Sequence, residues 1–365
     1  MTVPPPFTDL VRRLPSSVPF RAPEAIERAR GRRFAARLGA NESAFGPSPR
    51  AVAAMRESAA SGQRYGDPES LALRQALGER LGAAPERIAV AGGIDELLGL
   101  FVRLFVAEGT PVVTSKGAYP TFAYHVTGFG GRLVPVPYKG DHEDLDGLLD
   151  AARRSGAPLV YLSNPDNPMG SWHGGDRVRA FAAALPPGTV LLLDEAYAEF
   201  APEDALPDLD GLPRVVRLRT FSKAHGLAGL RIGYAVADPA LVAALDKVRL
   251  HFGVGRVAQA GALASLDDPD HLAAVRAAVA AGRAAYVGLA AGLGLRALPS
   301  ATNFVAIDMG GDGDRARAVL KALEDRNVFV RMPGVAPLDR CIRVTVGLPG
   351  ERAVFAEALT RVVRG

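Results

Sequence analysis

Short apolar runs separated by helix-length segments fill the middle of the chain. Residues 88–91, 111–114, 132–137, 159–163, 190–194, 215–219 and 232–236 each read as a buried strand. Most of these runs are linked by helix-length segments, which suits parallel strands covered on both faces. One mainly parallel seven-stranded sheet between two helical layers is therefore expected. A long apolar helix is predicted over 97–106, directly after Gly92-Gly93-Ile94-Asp95-Glu96, and another over 239–250. Past residue 250 the pattern changes. Ala-rich helical stretches at 257–266 and 271–292 precede three strands, at 295–298, 303–309 and 341–346. Helices near 314–326 and 350–363 alternate with these strands, and 328–332 is an additional edge-like run. The expected organisation is α/β: an N-terminal arm over 1–40 with a short helix near 23–30, a large domain over 41–250 and a smaller α/β domain over 251–365. In such sheets ligands gather at the carboxyl ends of the strands.

Composition narrows the function classes. Of 365 residues, 48% are hydrophobic and 22% charged, the balance of a soluble globular chain. The net charge of +4 is spread without a run of five like charges, so no nucleic-acid partner is expected. The six histidines have no metal-ligand spacing, and a single cysteine, Cys341, excludes an internal disulfide and fits a reducing compartment. No uninterrupted apolar run reaches ~18 residues, so no membrane partner is expected. The opening Met-Thr-Val-Pro-Pro-Pro lacks the basic and apolar regions of a signal peptide, and a cytoplasmic protein is expected.

Candidate chemistry concentrates in one stretch, Arg219-Thr-Phe-Ser-Lys-Ala-His-Gly-Leu-Ala-Gly-Leu-Arg-Ile-Gly-Tyr234. Lys223 is one of five lysines. Burial disfavours the charged form of a lysine and prepares it to condense with an aldehyde. Thr220, Ser222 and Arg231 supply what a phosphate requires. An aldehyde and a phosphate on one molecule point to pyridoxal 5′-phosphate; a lysine on a solvated turn is the alternative. Asp194, at the end of a strand of leucines, can keep a pyridine nitrogen protonated so that the ring accepts electrons, or can simply cap a helix. Tyr197 can donate to the ring's phenolate oxygen. Gly93 and Ile94 open a helix after a strand, where backbone amides can approach a phosphate.

The stretch from Thr220 to Tyr234 resembles the lysine segment of the class I/II, fold-type I aminotransferases that depend on pyridoxal phosphate, and within them the histidinol-phosphate aminotransferases. The likeness runs from about Asn41 to the C-terminus. Asn41-Glu-Ser-Ala-Phe-Gly-Pro-Ser-Pro49 is similar to the family segment that lines the substrate side, and assigns Asn41 to substrate binding. Asn164-Pro-Asp-Asn-Pro-Met-Gly170 is similar to a family turn whose second asparagine, here Asn167, bonds the ring oxygen; Met169 replaces the usual threonine. Gly93-Ile94 departs from the family's Gly-Ser. Tyr119 falls where the family stacks an aromatic on the cofactor ring, and also fits a core tyrosine. The resemblance gives Arg343 the substrate's anionic group and Arg331 a place near it, although Arg331 fits a surface salt bridge as well. Tyr65, in Tyr-Gly-Asp-Pro68, resembles the tyrosine that reaches the phosphate of the neighbouring subunit, which implies a homodimer with shared sites.

The implied reaction is amino-group transfer from an amino donor, histidinol phosphate or an amino acid, to a 2-oxo acid acceptor such as 2-oxoglutarate. The family's arm carries an aromatic and a Pro-Gly where this chain has Leu14-Pro-Ser-Ser-Val-Pro-Phe20. That difference leaves an aromatic or broad-range aminotransferase open. A lyase or decarboxylase on the same scaffold also stays open, since cofactor motifs alone do not fix which bond is cut.

Overall fold

The computed structural model describes residues 5–15 and 22–365; of the 14–20 segment that departs from the family's arm, 16–20 lie outside those described. The seven expected strands form at β1 Ile88–Ala91, β2 Pro111–Ser115, β3 Arg132–Val136, β4 Leu159–Ser163, β5 Val190–Asp194, β6 Val215–Thr220 and β7 Gly233–Val236. They make one sheet in the order β1-β7-β6-β5-β4-β2-β3. All pairs are parallel except those of β7, which runs antiparallel to both β6 and β1.

Alternation along the central strands explains the two helical layers. Leu159, Tyr161, Val190 and Leu192 face a cluster with Leu97, Phe101 and Phe122, from the helices Ile94–Phe105 and Pro120–Gly128. Val160, Leu162, Leu191 and Leu193 face the opposite cluster, with Leu148 and Phe181 from the helices Leu145–Ser155 and Gly175–Ala184. Every residue of β4 and β5 is buried, which is why their sequences read as unbroken apolar runs.

The second sheet is antiparallel, in the order β10-β9-β8, with β8 Arg296–Ala297, β9 Phe304–Asp308 and β10 Cys341–Thr345. Helices Pro269–Gly292, Gly313–Asp325 and Pro349–Arg364 cover it through Val275, Val279, Leu323, Phe355 and Leu359. The first two begin at aspartate caps, Asp268 and Asp312, whose side chains accept from first-turn N–H groups. Pro269–Gly292 is long and apolar enough to cross a membrane by length and composition alone, despite lacking an uninterrupted apolar run. It carries Arg276 and Arg283, and its Tyr286 hydroxyl donates to the Thr345 carbonyl at 3.0 Å inside the core.

The run expected at 328–332 forms a strand only at Val328–Phe329, which pairs in parallel with Ala36–Arg37. Ile26, Phe34 and Phe329 close this contact between the arm and the second sheet's body.

Candidate active site

The loops beyond the carboxyl ends of β1, β2, β4, β5 and β6 open on one cavity of about 700 Å³, which Asn41, Arg331 and Arg343 also line. Four groups of side chains define its chemistry.

At its base is Asp194. The β4–β5 register sets Ser163 beside Asp194, so Tyr161, two residues earlier, projects from the same face of the sheet. The Tyr161 hydroxyl donates to Asp194 Oδ2 at 2.8 Å, and the Ala196 N–H donates to Oδ1 at 3.0 Å. Burial raises the pKa of Asp194 to about 6, and these donors hold it from rising further. It is therefore a buried carboxylate above that pH, with both oxygens fixed in direction.

Lys223 forms the second group. Its ammonium donates to the Asn41 carbonyl at 3.0 Å, an oxygen that also accepts from Asn303 Nδ2 at 3.1 Å. Burial, followed by the charge of Arg343, lowers the Lys223 pKa to about 8. Asn41 is itself locked, with φ 55°, its N–H donating to Thr345 Oγ1 and its Oδ1 accepting from that hydroxyl, both at 3.0 Å. Asn41 Nδ2 donates to the Tyr197 hydroxyl at 2.9 Å, and Asn167 Nδ2 to the same oxygen at 3.4 Å. Burial raises the phenol's pKa to about 12, so Tyr197 remains a neutral donor and acceptor.

The third group surrounds the start of the helix Ile94–Phe105, whose first-turn N–H groups have no intrahelical acceptor. Arg231 Nη1 donates to Ser222 Oγ at 3.5 Å and Arg231 Nη2 lies 3.5 Å from Asp95 Oδ2, while the Ser222 N–H donates to Thr220 Oγ1 at 3.0 Å. Gly93 has φ +92°, and a Cβ there would lie 2.8 Å from Arg231 Nη2. The φ is what calls for glycine here, and a side chain would also push the Arg231 guanidinium aside. Ile94, where the family has a hydroxyl, turns its side chain into the core beside Leu97 and Leu98. The Tyr119 hydroxyl donates to Asp95 Oδ1 at 2.9 Å, and burial, then the Asp95 charge, raises its pKa.

Arg343 and Arg331 make the fourth group. Their backbones bridge, Arg343 N–H to Arg331 O at 2.6 Å and Arg331 N–H to Arg343 O at 3.2 Å, which sets both side chains beside the cavity. Arg343 is half-buried and bonds neutral partners: Nη1 donates to Asn167 Oδ1 at 2.5 Å, Nη2 to the Gly39 carbonyl at 3.2 Å, and Nε is buried without a hydrogen-bond partner. Burial lowers the pKa of both arginines. A half-buried guanidinium that bonds only neutral groups is a receptor for an anion.

Of the sequence candidates, only Gly93 and Tyr65 are not among the residues lining the cavity. Gly93 backs Arg231, as above. Tyr65 is 76% exposed and stacks on Phe252, with ring centroids 4.6 Å apart. Met169 is fully buried against Leu298, Leu338 and Cys341, so the side chain that replaces the family's threonine works in packing rather than in a polar contact. Tyr161, Asp95 and Asn303 are the site residues that sequence reasoning missed. Tyr161 lies within an apolar strand and Asp95 within a helix start, and only the strand register and the fold reveal what they face.

Residues 36–361 match the family model of class I and II aminotransferases. The chain is 39% identical over 353 residues to the histidinol-phosphate aminotransferase of Anaeromyxobacter sp. (strain Fw109-5), covering 95% of this chain and 96% of that relative. It is 37% identical to the same-named protein of Rhodospirillum centenum over 333 residues, 90% of this chain and 92% of the relative. The crystal structure of histidinol-phosphate aminotransferase from Sinorhizobium meliloti in complex with pyridoxal-5′-phosphate matches with a TM-score of 0.96 and 53% identity, over 100% of this chain and 99% of that one. With a buried Asp194, a Lys223 of lowered pKa and a receptor for anions in one cavity, the chain belongs to the class I and II aminotransferases.

Proposed function

We propose that the protein is a pyridoxal 5′-phosphate-dependent aminotransferase that moves the amino group of histidinol phosphate to a 2-oxo acid such as 2-oxoglutarate. The observation that carries this reading is the placement of Asp194, Lys223 and Arg343 on the walls of one cavity. The residues suit the cofactor. Gly93, Ile94, Thr220, Ser222 and Arg231 would hold its phosphate, Asp194 would pair with its ring nitrogen, and Tyr197 and Asn167 would bond its phenolate oxygen. Tyr119 would stack on its ring. Pyridoxal phosphate, when bound, supplies an aldehyde for the amino group and a ring that draws electron density from Cα.

The protein's residues supply the rest. Asp194, aligned by Tyr161 and the Ala196 amide, keeps a negative charge in a buried place where it would hold the ring nitrogen protonated. Lys223, with its pKa near 8, exists partly as a free amine near neutral pH and moves the proton at Cα. Arg343 and Arg331 bind the anionic end of each substrate, the phosphate of the donor and a carboxylate of the acceptor. The names of the relatives support histidinol phosphate over other donors.

We also infer a homodimer in the cytoplasm whose partner subunit contributes its tyrosine at position 65. Support comes from the exposed apolar side chains Tyr65, Leu250 and Phe252, which lie apart from the cavity on their own chain.

Incubation with histidinol phosphate and 2-oxoglutarate tests the main claim. Ketone and glutamate should appear in equal amounts and faster than with any amino acid donor. Release of carbon dioxide or another fragment, or a preference for an aromatic amino acid, overturns it.

A further inference from the structure

Strands β2 and β4 lie side by side where the winding of the sheet reverses, with β3 beyond β2 on one side and β5 beyond β4 on the other. Their shared ladder is short. Val112 pairs with Leu159 and Val113 with Val160, and there it stops. Yet β2 continues to Ser115 against β3, and β4 continues to Ser163 against β5. The two strand ends part at the edge of the cavity, which Ser163 and Gly117 line.

Parting strands leave buried ladder groups without partners, and the Ser163 N–H is one of them. It donates instead to Glu143 Oε1 at 2.9 Å. The other oxygen of the same carboxylate accepts from Ser115 Oγ at 2.5 Å. Glu143 is 1% exposed, just ahead of the helix Leu145–Ser155, and its carbonyl lies 2.8 Å from His173 Nε2. One side chain thus bridges both strand ends. Four residues beyond Ser115 comes Tyr119, and four beyond Ser163 comes Asn167.

We propose that Glu143 is a positioning residue that fixes the spacing of Tyr119 from Asn167, and so the fit of the cofactor ring between the two lips of the split sheet. This rests on the reading of the cavity as a pyridoxal phosphate site. Burial, together with the nearby Asp166, favours the protonated form of Glu143, while Ser115 and the Ser163 N–H oppose this. A glutamine has the same shape and can make both contacts in neutral form, so it separates bridging from charge.

The test is equilibrium dialysis of the apo-protein against pyridoxal phosphate, well below the melting temperature of each variant. Glu143→Ala should bind at least tenfold more weakly, Ser115→Ala about threefold or more weakly, and Glu143→Gln and Ser115→Thr within threefold of the unmodified protein. A residue that serves folding alone would change the melting temperature and leave this affinity unmoved. If Glu143→Ala does not fold, the Ser115→Ala and Ser115→Thr pair decides. Unmodified protein that binds while Glu143→Ala, or in its absence Ser115→Ala, binds equally well overturns the inference alone. Unmodified protein that takes up no pyridoxal phosphate overturns the aminotransferase reading and this inference with it.

Discussion

Asp194 is held as a carboxylate where the surroundings oppose its charge. Its pKa rises from an ordinary 3.8 to about 6, chiefly by burial. Below the lower value the group is neutral folded or unfolded and costs nothing. As the pH rises through this window the unfolded chain ionises first, and the folded state carries the full penalty above about pH 6. At ~1.4 kcal/mol per pK unit, Asp194→Asn should stabilise the apo-protein by about 1–3 kcal/mol at pH 7.5, and the gain should vanish towards pH 4. Thermal melts at both pH values check this, and a variant no more stable at pH 7.5 refutes it. The same substitution should slow Cα-proton removal by orders of magnitude. Lys223 gives the converse case. With its pKa lowered to about 8, its free-amine fraction grows as pH rises and levels off above that value. Stopped-flow capture of pyridoxal phosphate by the apo-protein should follow that curve, not one centred on the ordinary lysine value of 10.5. Arg343→Ala should raise KM for a phosphate or carboxylate substrate roughly 100-fold, the loss expected when one partner of a buried charged contact is removed. Arg343→Lys should recover little, because an ammonium cannot replace the fork that reaches Asn167 and Gly39 together.

At the level of elements, the turn that joins β1 to the helix Ile94–Phe105 is the most constrained part of the site. Gly93→Ala meets both a left-handed φ and the Arg231 guanidinium, so either Arg231 or the helix start must move. Pyridoxal phosphate affinity should fall at least tenfold in dialysis, with the helix content unchanged by circular dichroism; an unchanged affinity would place the phosphate elsewhere. The turn was legible from sequence because glycine between a strand and a helix has few uses. The central strands β4 and β5 were legible because burial on both faces keeps them apolar up to their last residue. Ala36–Arg37, which pairs with Val328–Phe329, was not, since two residues carry no periodicity. Tyr161 was hidden for a different reason. Its phenol meets Asp194 only through the β4–β5 register, and a single sequence does not give register between strands 31 residues apart at their starts, Leu159 and Val190. Helix Arg256–Leu266 shows the limit of reading domains from composition. It buries Ala258, Ala262 and Leu266 against Ala51, Leu73 and Phe221, on the side of the seven-stranded sheet. We propose that the larger domain extends to about residue 266 rather than ending at 250.

On the scale of the whole molecule, the question is what covers Tyr65. An aromatic stacked on Phe252 and still 76% exposed, beside Leu250 at 73%, leaves apolar surface in water. Our reading places a second copy of the chain there and delivers the tyrosine to that copy's phosphate cradle. A phenol donating to a phosphate contributes ~1.5–3 kcal/mol, about tenfold or more in cofactor affinity. Hybrid dimers separate this from a role within one chain. Co-expression of Lys223→Ala and Tyr65→Phe subunits with different tags isolates a dimer that has a single lysine. If the tyrosine acts in trans, the site with Lys223 receives an intact Tyr65 from the Lys223→Ala subunit, while both defects fall in the other site. The hybrid's one working site should then bind pyridoxal phosphate as tightly as the unmodified enzyme. If the tyrosine acts in cis, that site keeps the weakened affinity of the Tyr65→Phe parent. A chain that sediments as a monomer at micromolar concentration removes the basis for the experiment and refutes the shared site directly.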